Sequence, residues 1–252
     1  MEGFKRQFKY QAIDVKKNII IFWCILIAFN ILFYILNLNY SKGINFGVSE
    51  YTTTIGINGE TITTRYMNVT GSNIIPIGIF IIVYNLIMYY ESFPTVIGFS
   101  SSRKDFYLGA VANNVLVCFA MAVIEGILLK LDRYFVKAMG ELPLDKFLMF
   151  NLRQDNILYL ISVLFIVFLL LCALFNLLGA VLYKFGNKVW LVLAAIAILL
   201  GNTVGDSISR MSGYFYSFNN VGIFYIKFIV AAAVLYGLGW LLVRRQNIRS
   251  GK

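Results

Sequence analysis

The sequence predicts an all-α polytopic membrane protein that forms a single transmembrane domain over residues 1–252. Hydrophobic residues make up 60% of the chain and charged residues only 13%, with a mean hydropathy of +0.76, whereas about a quarter of the residues in a soluble domain are charged. A transmembrane helix needs about twenty consecutive apolar residues. Six runs meet this requirement, at 19–38, 73–91, 108–129, 156–182, 189–205 and 221–243.

The loops between these runs predict the orientation of the chain. The side that holds both termini carries more Lys and Arg residues, over shorter loops, than the opposite side. Basic residues concentrate on the cytoplasmic side of membrane proteins, so we expect a plasma-membrane protein with both termini in the cytoplasm. The net charge of +10 then faces the anionic inner leaflet. Binding to nucleic acid explains it less well, because the basic residues are scattered among short loops.

The first seventeen residues predict an amphipathic helix that lies in the membrane surface. Its apolar residues recur at helical spacing, at Phe4, Phe8, Ala12 and Val15, which is typical of one buried face. The lysines that suit the level of the lipid headgroups are Lys5, Lys9 and Lys16. A frayed basic tail is the alternative interpretation.

The first loop outside the cell predicts a small β-hairpin between spans 1 and 2. In the stretch TTTIGINGETITTRY, Asn58 and Gly59 stand between two arms rich in Thr and Ile. An Asn-Gly pair suits a two-residue type I′ turn, because both positions tolerate a positive φ. We expect strands on either side of that turn, with a solvated loop as the alternative.

The segment from residue 92 to residue 109 predicts a short helix, a break and a second helix start. Ser92 is expected to cap a helix that begins near Phe93 and Pro94, since proline suits a first turn. Gly98 and the serines end that helix, and Ser102 and Asp105 match the S-x-x-D capping box that opens the third span.

Connections between antiparallel spans usually run about two to eight residues, and this one is longer and more apolar. Its aromatic and aliphatic residues predict a cytoplasmic element that docks into a groove of another protein. These residues are Phe93, Val96, Ile97, Phe99, Phe106 and Tyr107. The alternative is a plain connector whose Arg103 and Lys104 only mark the cytoplasmic side.

The stretch SFPTVIGFSSSRKDFYLGAVANNVL resembles the region between the second and third spans of ABC-2-type transporter permeases of Gram-positive bacteria. That family often shows a G-x-S-R-x-x-F-x-x-G pattern there. The counterparts in this chain, which has two extra serines before the Ser-Arg pair, are Gly98, Ser102, Arg103, Phe106 and Gly109. Within the family, the chain is most similar to small permeases that export amphipathic peptides, such as phenol-soluble-modulin exporters and bacteriocin-immunity transporters.

The resemblance implies that this loop is a coupling helix, which contacts a separate ATP-hydrolysing subunit. The residues assigned to that contact are Phe93, Ile97, Gly98, Phe99, Ser100, Ser101, Ser102, Arg103, Lys104, Asp105 and Phe106. It also implies a second permease subunit, identical or different, and export of a hydrophobic or amphipathic substrate such as a peptide toxin or antimicrobial. ATP and magnesium would bind the partner and no cofactor would bind this chain, which has no G-x-x-x-x-G-K-[ST] motif for cradling phosphates.

Few charged residues fall inside the apolar runs, where each is costly to bury. Glu125 lies near the outer end of the third span and Lys227 lies inside the sixth. They are candidates for pairing or for lining a polar pathway. Extension of either side chain to the outer surface is the alternative.

Several other function classes fit the sequence less well. Histidine is absent, which removes the most frequent general base and metal ligand and argues against an intramembrane hydrolase. The three cysteines lie in apolar runs without metal-binding spacing, at Cys24, Cys118 and Cys172. The remaining alternatives to a permease are a non-catalytic immunity or sensor protein and a secondary transporter.

Overall fold

The structure, a computed structural model, describes residues 2–39, 47–55, 61–98, 102–148, 150–186, 188–189 and 221–246. Its α-helices are α1 Glu2–Asn39, α2 Ile74–Ile87, α3 Phe93–Gly98, α4 Arg103–Ala138, α5 Ile157–Phe185 and α6 Val221–Val243. A 3₁₀ turn, Thr70–Asn73, precedes α2, and a π-helical turn, Met88–Ser92, joins α2 to α3. The strands are β1 Val48–Ile55, β2 Thr61–Asn68, β3 Leu142–Pro143, β4 Lys146–Phe147 and β5 Phe150–Asn151.

Within these residues, five helical stretches are long and apolar enough to cross a membrane. They are Gly3–Leu38, Thr70–Gly98, Arg103–Ala138, Ile157–Phe185 and Gly222–Val243. The chain is therefore a helical, multi-pass membrane protein. Nearly all of the predicted fifth span, 189–205, lies outside the described residues, so the arrangement with six spans stays a prediction.

The helices extend well beyond the apolar runs. Helix α4 has 36 residues, which corresponds to about 54 Å at 1.5 Å per residue, whereas the hydrocarbon layer is about 30 Å thick. Helix α1 likewise continues without interruption from Glu2 to Asn39. The predicted surface helix over the first seventeen residues is thus the beginning of α1 and not a separate element.

Local capping explains where several helices begin and end. Asn156 precedes α5, and its Oδ1 accepts the N–H of Leu158 at 3.1 Å, as expected of an N-cap side chain. Gly140 and Gly186 follow α4 and α5 with φ of 81° and 76°. These values lie in the left-handed region that closes helix C-termini and that glycine adopts without a steric penalty.

Contacts divide the chain into two compact units. The first comprises residues 1–12, 79–118 and 166–252, and the second comprises residues 13–78 and 119–165. The boundaries lie within helices α1, α2, α4 and α5. Each unit is described below by itself.

The core of the first unit is a cluster of aromatic and aliphatic side chains, here called the aromatic cluster. It joins the π-helical turn, α3, α4, α5 and α6. Its buried members are Met88, Tyr89, Phe93, Val96, Phe106, Tyr107, Ala110, Ala180, Tyr183 and Val243. Tyr107 also donates a hydrogen bond from its hydroxyl to the carbonyl of Tyr236 at 2.6 Å, which holds α4 against α6.

A polar network crosses the first unit beside this cluster. Asn114 Nδ2 donates to Asn85 Oδ1 at 3.0 Å and contacts the Tyr236 hydroxyl at 3.3 Å. Asn85 Nδ2 lies 3.5 Å from the sulfur of Cys172, which is 3.1 Å from the sulfur of Cys118. Polar side chains inside membrane helices favour contacts of this kind between helices, and here they connect α2, α4, α5 and α6.

The second unit contains the hairpin that the sequence predicts between the first two long helices. Strands β1 and β2 pair antiparallel from Val48–Asn68 to Ile55–Thr61. Strand β3 then pairs with β2 in parallel, and the Leu144 N–H donates to the Met67 carbonyl at 2.9 Å. The position of this sheet outside the cell stays a prediction.

The predicted two-residue turn at Asn58–Gly59 does not agree with the register of the hairpin. An uninterrupted ladder leading to that turn would pair Ile55 with Ile62, whereas Ile55 pairs with Thr61. The turn itself, 56–60, lies outside the described residues. The pattern of Thr and Ile residues predicts the strands but not their register, because both faces of these strands carry similar residues.

The contact between Cys118 and Cys172 gives a direct test of how α4 packs on α5. A membrane-permeant oxidant, copper-phenanthroline, is expected to lower the number of free thiols per denatured chain from three to one, since three cysteines are present and the sulfur atoms of Cys118 and Cys172 lie 3.1 Å apart. The Cys118→Ser variant is the control and should keep both remaining thiols. Three free thiols after oxidation of the natural chain would contradict this packing.

Candidate functional site

The predicted coupling segment begins as a continuation of the second long helix. Phe93 donates its backbone N–H to the Met88 carbonyl and has helical φ and ψ angles, so no new helix starts there. The prediction that Ser92 caps a helix is therefore wrong. Pro94 has no N–H to offer to the preceding turn, and the wider π-helical turn lies immediately before it, as is common near functional segments.

The second helix start agrees with the S-x-x-D pattern. The Ser102 hydroxyl oxygen accepts the backbone N–H of Asp105 at 3.0 Å, and the hydroxyl donates to Asp105 Oδ2 at 2.8 Å. Helix α4 follows at once, with the Phe106 N–H bonded to the Ser102 carbonyl. Phe99, Ser100 and Ser101, which complete the predicted contact, lie outside the described residues.

The described apolar residues of the predicted docking element do not form an exposed face. Phe93 and Phe106 are 0% exposed, and their rings pack edge to face with centroids 5.0 Å apart. Val96 and Tyr107 are buried in the same aromatic cluster, and Ile97 packs against it half-buried. Burial of this apolar area stabilises the folded segment. The prediction that these residues form an apolar surface for docking into a groove of another protein is therefore wrong.

Polar residues with exposed side chains precede Phe106, and we call residues 102–105 the tip. Ser102 and Lys104 are exposed, and Arg103 and Asp105 are half-buried. Gly98, on the other side of the undescribed residues, is also exposed, and a Cβ atom added there would have no atom of the described chain within 4 Å. A charged tip thus stands on an apolar base that is anchored in the core of the first unit.

The beginning of α1 packs against the same region. A Cβ atom added at Gly3 would lie 2.5 Å from Asp105 Oδ2, and one added at Gly109 would meet Gln7 and Gln11. The buried side of this turn therefore carries glutamines, whereas Lys5 and Lys9 are exposed and Phe4, Phe8 and Ala12 are half-buried. Gln7, Gln11 and Val15 are all buried and follow one another at a spacing of four residues, which places them on one face of the helix. The spacing could have predicted this buried face, but glutamine is usually exposed and is not normally assigned to one.

Glu125 lies in a polar layer of the second unit. Its side chain is 0% exposed, and its Oε2 accepts the amide Nδ2–H of Asn73 at 3.0 Å. Oε1 has no hydrogen-bond partner in the part of the chain that the structure describes. A buried carboxyl with an unused acceptor is costly in an apolar surrounding, so packing alone does not account for Glu125.

Two turns further along α4, Asp132 fixes the start of the second long helix. Its Oδ1 accepts the Tyr34 hydroxyl at 2.5 Å and the backbone N–H groups of Val69 and Thr70 at 3.0 and 3.1 Å. Asn68 Oδ1 accepts a further N–H, from Gly71, at 2.6 Å. Sequence reasoning missed this cap, because its carboxyl comes from a residue more than sixty positions away.

Lys227, the second predicted pathway residue, is half-buried on α6 of the first unit. Its pairing with Glu125 stays a prediction. Within the described ranges, no group of three or more His, Cys, Asp or Glu side chains is placed to hold a metal ion. The chemistry that these sites offer is hydrogen bonding and charge.

Comparison of the chain with family models, with curated proteins and with solved structures found no match in any of the three. The sites described above are therefore interpreted from their own geometry and from the sequence pattern.

The close approach of α5 to the aromatic cluster predicts a glycine requirement. A Cβ at Gly179 would lie 2.7 Å from Tyr89 Cδ2 and 3.0 Å from the Asn85 carbonyl, whereas no atom of the described residues lies within 4 Å of one at Gly237. Gly179→Ala is expected to destabilise the chain by about 1–3 kcal/mol, the usual effect of overpacking. Gly237→Ala should be neutral or stabilising, because alanine favours a helix more than glycine does.

The measurement is the midpoint of thermal unfolding of both variants in the same detergent. Equal midpoints for Gly179→Ala and Gly237→Ala would contradict the packing of α5 on Tyr89.

Proposed function

We propose that this chain is the permease subunit of an ABC exporter, which carries a hydrophobic or amphipathic substrate, in particular an amphipathic peptide, across the plasma membrane. The observation that carries this proposal is the construction of the segment between the second and third long helices. A charged, partly exposed tip, residues 102–105, stands on buried Phe93 and Phe106. An element that receives a force from a partner needs both an accessible contact and a rigid base.

The contacts of the base support a role in transmitting movement. Phe93 packs on Phe106 of α4 and on Tyr183 of α5, with ring centroids 5.0 and 5.2 Å apart. Close-packed side chains of this kind do not deform continuously and pass a displacement on to their neighbours. A push on the tip would therefore move the ends of α4 and α5 together within the first unit.

In this proposal, the chain itself performs no chemistry. A separate ATPase subunit binds ATP and magnesium and contacts the tip from the cytoplasm, where Arg103 and Lys104 meet acidic groups of that partner. A second permease subunit, identical or different, completes the transport pathway. The excess of basic residues in the loops on the side of both termini supports this orientation.

A secondary transporter is the second candidate, and Glu125 is the observation that favours it. Ionisable residues inside membrane helices often mark ion or proton pathways, and this one is fully buried with an oxygen that has no partner among the described residues. Transport that depends on an ion gradient and persists without any ATPase would favour this candidate over the exporter.

Replacement of the two basic residues of the tip tests the exporter proposal. The chain is coexpressed and purified with a candidate ATPase subunit, and ATP turnover is measured in liposomes. The double variant Arg103→Glu/Lys104→Glu is expected to lower the stimulation of ATP turnover by about tenfold, equivalent to about 1.4 kcal/mol of lost contact, since reversed charges repel the partner.

The matched control is Lys146→Glu, a charge reversal at another exposed lysine that the topology prediction puts on the opposite side of the membrane. It should leave both the association and the ATP turnover unchanged. Normal stimulation by the tip variant, or an equal loss in both variants, would contradict the assignment of the tip as the ATPase contact.

A further inference from the structure

The ends of α5 and α6 lie together in the first unit. Tyr183, on the last turn of α5, and Val243, the last residue of α6, are both buried in the aromatic cluster. Beyond α6, the amide Nε2 of Gln246 donates a hydrogen bond to the Ala180 carbonyl of α5 at 2.6 Å, and Gln246 is only 2% exposed. This hydrogen bond holds the residues that follow α6 against α5.

Three basic residues stand at these adjoining helix ends, and we call Lys184, Arg244 and Arg245 the cation cluster. Lys184 lies one turn beyond Ala180 on α5, and the two arginines immediately precede Gln246. All three side chains are exposed. The backbone N–H groups of the arginines donate to carbonyls in the last turn of α6 at 2.9 and 3.3 Å, so both arginines have a fixed place beside α5.

The cation cluster has no acidic partner in the described part of the chain. The ion pair that forms among the described residues lies in the second unit. Glu91 is close by in the fold, because it follows Tyr90, whose ring packs on Tyr183, but it forms no ion pair with a described residue. Neighbouring positive charges repel one another, so an anion bound at these helix ends would stabilise them.

The cluster lies at the ends of two stretches that are long and apolar enough to cross a membrane. Lys184 is the penultimate residue of Ile157–Phe185, and Arg244 directly follows Gly222–Val243. Basic residues at the end of a membrane helix stand at the level of the lipid headgroups. The topology prediction assigns these ends to the cytoplasmic side, where the leaflet carries anionic lipids.

Exposed apolar side chains continue from the cluster along α6. Leu238 and Leu241 are 46% and 57% exposed, and with Arg245 they follow a spacing of three and four residues, which places them on one face. A phospholipid offers an anionic headgroup and an apolar chain to such a face. A soluble partner protein would reach only the cations, because both leucines lie within an apolar stretch that suits the hydrocarbon layer.

We infer that the cation cluster binds the headgroup of an anionic phospholipid, whose acyl chains lie along Leu238 and Leu241 of α6. The bound phosphate offsets the repulsion among the three cations and holds the ends of α5 and α6 beside the aromatic cluster. The inference goes beyond the proposed function and does not depend on it, since no step of it involves an ATPase or a transported substrate.

The main test is a competition between two lipids that differ only in the headgroup. The full-length protein in detergent is equilibrated with an equimolar mixture of phosphatidylglycerol and phosphatidylcholine that carry the same acyl chains, and retained lipids are counted by native mass spectrometry. The natural chain should retain phosphatidylglycerol about tenfold better, since basic residues near the membrane surface attract anionic headgroups. The variant Lys184→Gln/Arg244→Gln/Arg245→Gln should reduce this preference at least fivefold.

The matched control removes the same amount of positive charge elsewhere. The variant Lys137→Gln/Lys146→Gln/Arg153→Gln replaces three exposed basic residues of the second unit. It should keep the preference of the natural chain, because these residues are not part of the cation cluster.

A soluble anion distinguishes a lipid site from a phosphate site. Glycerol 3-phosphate, added at the concentration of the phospholipids, should leave the retained phosphatidylglycerol unchanged, because it has no acyl chain to contact Leu238 and Leu241. Displacement of the lipid by glycerol 3-phosphate would show that the cluster takes a free phosphate and would overturn the lipid assignment.

A ratio of about one in the natural chain would leave the three cations as a topology signal alone and overturn the inference, as would equal losses in the cluster variant and its control. The ratio for the natural chain is measured within one sample of folded protein, so it is decisive even if a variant does not fold. A cluster variant that keeps the natural lipid ratio but no longer stimulates ATP turnover would assign the cations to the ATPase contact instead. Normal ATP turnover in the tip variant would contradict the proposed function without changing the lipid ratio, which separates the two proposals.

Discussion

Polar groups removed from water must find partners within the protein, and in a chain this apolar that requirement determines how the helices meet. The carboxyl group of Asp132 is the clearest case. It accepts hydrogen bonds from the Tyr34 side chain and from the backbone of Val69 and Thr70, so one side chain of α4 holds α1 and the start of the second long helix. Strand β2 ends immediately before that start, so the position of the sheet depends on where the helix begins.

The first unit meets the same requirement with asparagines and tyrosines. Asn85 and Asn114 bond across helices, and Tyr89 donates its hydroxyl to Asn176 at 3.0 Å. Hydrogen bonds between membrane helices contribute only about 0.6–2 kcal/mol each, so the aromatic packing around Phe93 must supply much of the cohesion. This combination explains how a polar loop can rest on a rigid base.

The long helices were predictable because apolar runs of about twenty residues have few other structures available in a membrane. The ends of the helices were not predictable. Helix α4 continues past Lys130, and the Nζ of this residue donates hydrogen bonds to the carbonyls of Leu152 and Asp155. The capping hydrogen bonds between Ser102 and Asp105 were predictable from their spacing in the sequence alone. The burial of Phe93 and Phe106 was not, because it depends on Tyr183, which is distant in sequence and packs there only in the folded chain.

In the proposed function the tip lies in the cytoplasm, where a partner reaches it, and the predicted topology assigns the hairpin to the opposite side of the membrane. The direct measurement is labelling by a membrane-impermeant maleimide in a variant that lacks the three native cysteines. Single cysteines replace Lys104 and Thr52, which are both exposed. We expect labelling of Thr52→Cys in intact cells and of Lys104→Cys only after permeabilisation. Labelling of Lys104→Cys in intact cells would contradict this claim.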